Sequence, residues 1–347
     1  MRFRLLLPLL VLAALATPAL AQRVVLMTHD SFAVSRDVLD AFTDATGIEV
    51  VLLQAGDAGA ALNRAALTRA RPVADVLFGV DEGLLVRARD ALVFEPYRSP
   101  ELDAVAPAYR IADDDLATPV TVGFVTFNLD RAWFAATGAP VPSSLADLAD
   151  PRWADLTVVT DPATSSPGLS LLLGTIGAWG PDAAFDWWGA LRANGLAVRA
   201  GWSDAYYGDF TRYGGDRPIV LSYASSPAAE ALFAEEPVDP DAPPTLNLRC
   251  SGCSVRQVET AGVLRNAANP EEARRLIDFL LQEPFQADVP LSMFVYPVRT
   301  GVALPETFDR YAEVPRAEEL MPLPDALDGA TVAGWIERWT DVVLQGR

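Results

Sequence analysis

The chain contains no lysine. That absence excludes a phosphate-gripping lysine of the P-loop kind, a Schiff-base lysine and any lysine nucleophile. Histidine occurs once, as His29, and cysteine twice, as Cys250 and Cys253. A zinc centre would need ligands beyond these three. No Ser/His/Asp or Cys/His arrangement can be argued, so no catalytic residue, resident metal or cofactor is expected. Positive charge is also scarce. Against 46 Asp and Glu stand 27 basic residues, all arginine, giving a net charge of -19. Such a surface disfavours nucleic acid and favours a cationic ligand. Beyond the first 21 residues, no segment is long and apolar enough to span a bilayer.

What is present begins with an export signal. Met1 to Ala21 reads as a secretory signal peptide: Arg2 and Arg4 give the basic start, Leu5 to Ala16 the apolar run, and Ala19-Leu20-Ala21 the small-residue cleavage site. The apolar run is too short to be an anchor, and Thr17-Pro18 interrupts it. The residue directly after the cleavage site is Gln22, not a cysteine, which speaks against a lipid anchor. The expectation is a soluble periplasmic protein starting near Gln22. Its length suits about two domains, and a 51% hydrophobic composition can fill large cores. In an oxidising compartment, Cys250-Ser251-Gly252-Cys253 is expected to be a local disulfide bracing a loop.

The mature start alternates between strand and helix. Val24–Met27, Ile48–Leu53 and Ala74–Phe78 read as strands, and Arg36–Thr46 and Asn63–Arg69 as helices. Gly47 is a natural helix end. The centre alternates again, with strands at Leu156–Thr160 and Pro218–Ser222 and a helix at Leu169–Trp179. Asn269-Pro270-Glu271-Glu272 is a helix start with cap, proline and acids in order. Two long β-rich runs, Val120–Leu129 and Val255–Leu264, read as crossings between lobes. The fold class expected is therefore α/β, with two lobes, a hinge and an interlobe cleft. The first lobe takes residues 22–125 and about 257–292, and the second takes 126–256 and about 293–347.

Two segments carry the chemistry. Gly201-Trp202-Ser203-Asp204-Ala205-Tyr206 and Leu221-Ser222-Tyr223-Ala224-Ser225-Ser226-Pro227 set aromatic rings among hydroxyls and an acid, in stretches that read as loops. Aromatic faces attract cations and stack on flat rings, and hydroxyls satisfy polar edges. Such a set suits a receptor for a small aromatic cation. Core burial is the commoner role of a lone tryptophan, and Trp187 and Trp188 are assigned to it. Asp30 and Asp81 follow strands and can be structural caps, although both are expected to face the cleft.

These segments resemble the thiamine-binding receptors of bacterial ABC import systems, which are type II periplasmic binding proteins. The resemblance is carried in order by Thr28–Phe32, by Ala74–Asp81, by Asp161-Pro162-Ala163-Thr164-Ser165-Ser166-Pro167-Gly168-Leu169, by the two aromatic segments above, and by Tyr296-Pro297-Val298. It implies a ligand, thiamine or its mono- or diphosphate, held by Asp57, Ala58, Ser165, Ser166, Trp202, Tyr223, Ala224, Ser225 and Ser226, and delivered to a membrane permease by a monomeric receptor. Trp202 and Tyr223 would offer ring faces, and Asp57 would accept from the aminopyrimidine or balance the thiazolium. Ser166, as a helix cap before Pro167, would leave backbone donors free for a phosphate. The chain departs from the family at His29, where a tyrosine is expected, and at Phe294, where a tryptophan is expected. Residues around Tyr207–Gly215 are extra. Two alternatives stay open. One is a ferric-iron receptor of the same fold using Tyr206-Tyr207, His29 and an acid. The other is a secreted enzyme acting on thiamine-like bases.

Overall fold

The computed structural model describes residues 22–111, 115–239 and 241–347. The signal-peptide assignment, residues 1–21, lies outside the described residues. The chain first alternates β1 (Gln22–Thr28), α1 (Arg36–Thr46), β2 (Ile48–Gln54), α2 (Ala58–Leu67), β3 (Val76–Val80) and α3 (Glu82–Asp90). After a short β4 (Phe94–Glu95) it enters the long strand β5 (Thr118–Asp130). The middle of the chain contains α4 (Arg131–Thr137), α5 (Leu145–Leu148), β6 (Thr157–Thr160), α6 (Ser166–Trp179), α7 (Pro181–Ala193), β7 (Ala197–Arg199), β8 (Ile219–Tyr223), α8 (Ser226–Leu232) and β9 (Thr245–Asn247). It returns through β10 (Val255–Leu264), followed by α9 (Pro270–Leu280), α10 (Glu283–Ser292), β11 (Tyr296–Pro297), α11 (Glu306–Tyr311) and α12 (Gly329–Trp339).

One continuous sheet runs β2-β1-β3-β10-β5-β8-β6-β7. Its two ends are parallel, β2-β1-β3 on one side and β8-β6-β7 on the other. The middle is an antiparallel ribbon of β5 and β10, paired from Val255 opposite Val125 to Ala261 opposite Thr118. Parallel strands need helical crossovers that cover both faces, so each end becomes an α/β layer with its own core. One core gathers Val24, Phe42, Val76, Phe78, Leu276 and Phe285. The other gathers Phe127, Leu172, Trp187, Trp188, Leu221 and Trp339. Only the ribbon carries the sheet from one to the other. The expected crossings at Val120–Leu129 and Val255–Leu264 are thus β5 and β10, and the architecture is the expected two-lobed α/β one. The α12 helix touches both sides: Val332 packs with Leu84 and Leu85 of α3, and Trp339 packs edge-to-face on Trp188.

Several boundaries differ from expectation for physical reasons. The α2 helix starts at Ala58 rather than Asn63, because Asp57 caps it by accepting from the Ala58 N–H at 2.6 Å. Its buried face is Ala58, Ala61, Leu62 and Ala65, small residues that give little hydrophobic contrast. The cap of α6 is Ser165, not Ser166, and Pro167 occupies the second helical position. The aromatic segments are not loops. Tyr223 ends β8, and Asp204–Asp209 forms a wide π-helical turn, a local under-winding that often accompanies functional sites. The ribbon is also uneven. The β10 strand pairs Thr260 with Val80 but Ala261 with Phe78, so Gly79 bulges from β3 at φ +101°. On the other side Glu259 pairs with Thr121 but Thr260 with Pro119, so Val120 is extra in β5.

Candidate binding site between the lobes

A cavity of about 340 Å³ lies where the two parallel ends face each other. His29, Asp30 and Asp57 reach it from the ends of β1 and β2, and Ser166, Trp202, Tyr223 and Ser226 from the opposite side. Glu259 enters from the ribbon itself, and Phe294 and Val295 from the segment after α10. No arginine lines it, and the chain has no lysine to offer.

The first wall is charged. Strand β1 ends at Thr28, so the chain turns and lays the His29 ring over Gly79. A β-carbon at position 79 would sit 2.6 Å from that ring, so the bulge needs glycine for both its conformation and its space. His29 Nε2 is 3.4 Å from Glu259, and its Nδ1 is 3.0 Å from the Ser31 hydroxyl. Burial alone would push the imidazole down, but the Glu259 carboxylate, with Asp57 and Asp30 beyond it, raises it above its ordinary value. Burial likewise works against Glu259, but His29 and the Thr121 hydroxyl bring that carboxyl below its usual range. Asp57 moves the other way: burial raises it, against His29 and the Trp202 and Ala58 N–H groups.

Asp57 also ties the lobes together. Its second oxygen accepts from the Trp202 backbone N–H at 2.8 Å. Beside it, the Gly59 and Ala60 N–H groups donate to the Thr164 carbonyl at 2.9 and 3.2 Å. A β-carbon on Gly59 would fall 2.8 Å from that carbonyl, so the glycine allows the close approach.

The second wall is aromatic. Trp202 stacks on Tyr206, with centroids 4.8 Å apart and planes 21° from parallel. The indole N–H donates to Ser222, whose hydroxyl is in turn 3.0 Å from that of Ser226. Tyr223 donates to Gln257, and Gln257 donates to both Asp81 and Ser170. Burial keeps the Tyr206 and Tyr223 hydroxyls protonated, well above the usual tyrosine range.

The residues singled out from the sequence divide accordingly. His29, Asp30, Asp57, Ser166, Trp202, Tyr223, Ser226 and Phe294 line the cavity together. Ala58, Ser165, Ala224 and Ser225 stand behind the lining. Ser165 is buried at the α6 cap, and Ser225 donates to the Phe294 carbonyl. Asp81 is not among the residues that line the cavity. It caps α3 through the Leu84 N–H, and burial raises its carboxyl to about 6. Phe294 holds a left-handed backbone, φ 54°, unusual for a bulky residue. Cys250 and Cys253 are joined as a disulfide, Cα atoms 5.3 Å apart, and neither lines the cavity.

Sequence reasoning missed Glu259, Glu230, Tyr213 and Phe233, and named Tyr207 only for the iron alternative; all five are lining residues. Glu259 left one signal, an acid in the middle of an otherwise β-rich run. Glu230 left none, since an acid on a short helix usually faces water.

Comparison with known proteins agrees with this geometry. A family model described as bacterial extracellular solute-binding protein matches residues 71–319. The thiamine-binding periplasmic protein of Salmonella typhimurium is 32% identical over 344 residues, covering 97% of this chain and 98% of that one. Iron uptake protein A1 of Synechocystis is 28% identical, covering 92% and 89%. A solved periplasmic thiamin binding protein superposes with a TM-score of 0.78 at 28% identity, covering 92% of this chain and 96% of the other. With two α/β layers, a strand ribbon between them and a walled cavity over that ribbon, the chain belongs to the bacterial extracellular solute-binding proteins.

Proposed function

We propose that the protein binds thiamine in the interlobe cavity and hands it to the permease of an ABC importer. The observation that carries this reading is the composition of the lining: Asp30, Asp57 and Glu259, a stacked Trp202 and the serine hydroxyls, with no arginine among the lining residues. Thiamine pairs a permanent thiazolium cation with a flat aminopyrimidine. Carboxylates in a partly desolvated cavity attract the cation more strongly than they could in water, and ring faces hold the flat parts. A phosphate tail would rest on the N-terminal turn of α6 at Ser166, where backbone donors concentrate. The receptor is read as a monomer in the periplasm, its leader removed after Ala21. Its lobes are residues 22–125 with about 257–292, and 126–256 with about 293–347.

The ferric-iron reading is less well supported. It needs tyrosinate donors, whereas the Tyr206 hydroxyl donates to Glu230 and the Tyr223 hydroxyl to Gln257. Among the described residues no group of three His, Cys, Asp or Glu is placed to hold a metal ion. Titration calorimetry with thiamine, thiamine monophosphate and ferric ion tests the choice. One-to-one heat with thiamine is expected. A visible tyrosinate colour with iron, and no heat with either thiamine form, would reverse it.

A further inference from the structure

Four rings, not one, meet on the second wall. Tyr207 stands 83° from the Trp202 plane and 80° from the Tyr206 plane, with centroids 5.5 Å away in both cases. The stacked Trp202–Tyr206 pair and Tyr207 therefore form two nearly perpendicular walls meeting at a corner. Tyr213 braces Tyr207 from another side at 4.9 Å. The buried carboxylate of Glu230 fixes the assembly. It accepts from the Tyr206 hydroxyl at 2.8 Å, from Tyr213 at 2.9 Å and from Arg212 at 3.2 Å. The π-helical turn at Asp204–Asp209 presents the two consecutive tyrosines here, and Tyr207 remains 53% exposed while lining the cavity.

Exposure of a ring in such a corner has a chemical meaning. Aromatic walls are the form in which proteins cage quaternised nitrogen, because a ring turns its negative face toward a cation that cannot donate a hydrogen bond. We propose that Tyr207 is a specificity-determining residue. Together with the Trp202–Tyr206 pair, it forms an aromatic corner that recognises the quaternary nitrogen of the ligand's ring. Glu230 acts through Tyr206 and Tyr213 as a positioning residue. This inference rests on the thiamine reading and adds to it a residue from the extra segment.

Calorimetry on the full mature chain tests it with two probes: thiamine, and its neutral isostere in which a carbon replaces the thiazolium nitrogen. Tyr207→Ala is expected to weaken thiamine about fivefold, the effect of one partly exposed cation–π contact. It should weaken the isostere less than about twofold, and Tyr207→Phe should recover most of the thiamine loss. The melting temperature of ligand-free Tyr207→Ala should match the parent, since the ring is half exposed. Unchanged thiamine affinity in Tyr207→Ala, or equal losses for both probes, overturns the inference and leaves the proposed function standing. A parent that does not bind thiamine removes both.

Discussion

The two walls of the cavity solve the same problem with different chemistry. The wall built from β1, β2 and the ribbon is electrostatic, with Asp30, Asp57 and the His29–Glu259 pair. The wall built beyond β7 and β8 is aromatic, with Trp202, Tyr206, Tyr207, Tyr213 and Tyr223. Charges act over distance and tolerate imprecise placement, and here they are held by backbone donors and by one another: Asp57 by the Ala58 and Trp202 N–H groups, Glu259 by His29 and Thr121. Ring faces act only at contact, so each is braced: Trp202 by Ser222, Tyr206 and Tyr213 by Glu230, Tyr223 by Gln257. Under the proposed function, one wall would attract the ligand and the other would select it.

Removing the main ring should have the largest effect. Trp202→Ala is expected to weaken thiamine by at least about tenfold, since stacking and a desolvated cation contact together exceed about 1.4 kcal/mol. The ligand-free melting temperature should stay near the parent's. Tight binding by the variant would mean that the aromatic wall is scaffold rather than contact.

Next comes the residue that joins the walls. Asp57→Ala deletes both the α2 cap and the bond to the Trp202 N–H. Cap loss alone costs about 0.5–2 kcal/mol, so a fall in melting temperature of several degrees is expected alongside weaker binding. A variant that loses affinity at unchanged stability would make Asp57 a pure ligand contact.

The third test sharpens the charged wall through pH. Glu259 titrates below its ordinary 4.5 in the folded protein, so its contribution is present above that value and is lost as pH falls. His29 titrates above its ordinary 6.5, so its contribution is present below 6.5 and is lost as pH rises through the folded value. Both contributions are therefore complete between pH 4.5 and 6.5. Glu259→Gln should lower the melting temperature most in that interval and least in alkaline solution. In the parent, thiamine affinity should rise with pH as His29 loses its proton and leaves Glu259 to the cation. A flat profile would exclude the pair from the binding energy.

The smallest effect is expected from a feature outside both walls. Reducing Cys250–Cys253 opens a loop with a sequence separation of 3, for which chain entropy predicts a cost of about 2 kcal/mol or less. Ligand affinity should not change. Thiol labelling of the denatured, unreduced protein should find no free thiol.

The fold was legible where periodicity and caps were strong. Phe42 with Gly47, and Asn269 with Pro270, marked α1 and α9. The alanine face of α2 hid its first turn. The site was legible where aromatic or hydroxyl residues stand together in sequence, as at Trp202 and Ser226. It was hidden where residues converge only in space. Glu230 meets Tyr206 and Tyr213 across a strand and a turn, and Glu259, late in the chain, meets His29, near its start, across the one intervening strand β3. Asp81 misled because a strand-end acid serves equally as cap or contact, and the helix after it claimed its oxygen.

The bulges at Gly79 and Val120 both fall opposite residues 259–261 of β10. A strand ladder resists bending except where its bonds are interrupted, and these interruptions coincide with the one ribbon residue whose carboxylate enters the cavity. The molecule thus places the two interruptions of its interlobe ribbon and its buried, cavity-facing carboxylate on the same few residues of strand. A ligand resting on Glu259 would therefore bear on the stretch of strand at which the two α/β layers are joined, the point from which any change in their mutual angle would have to start.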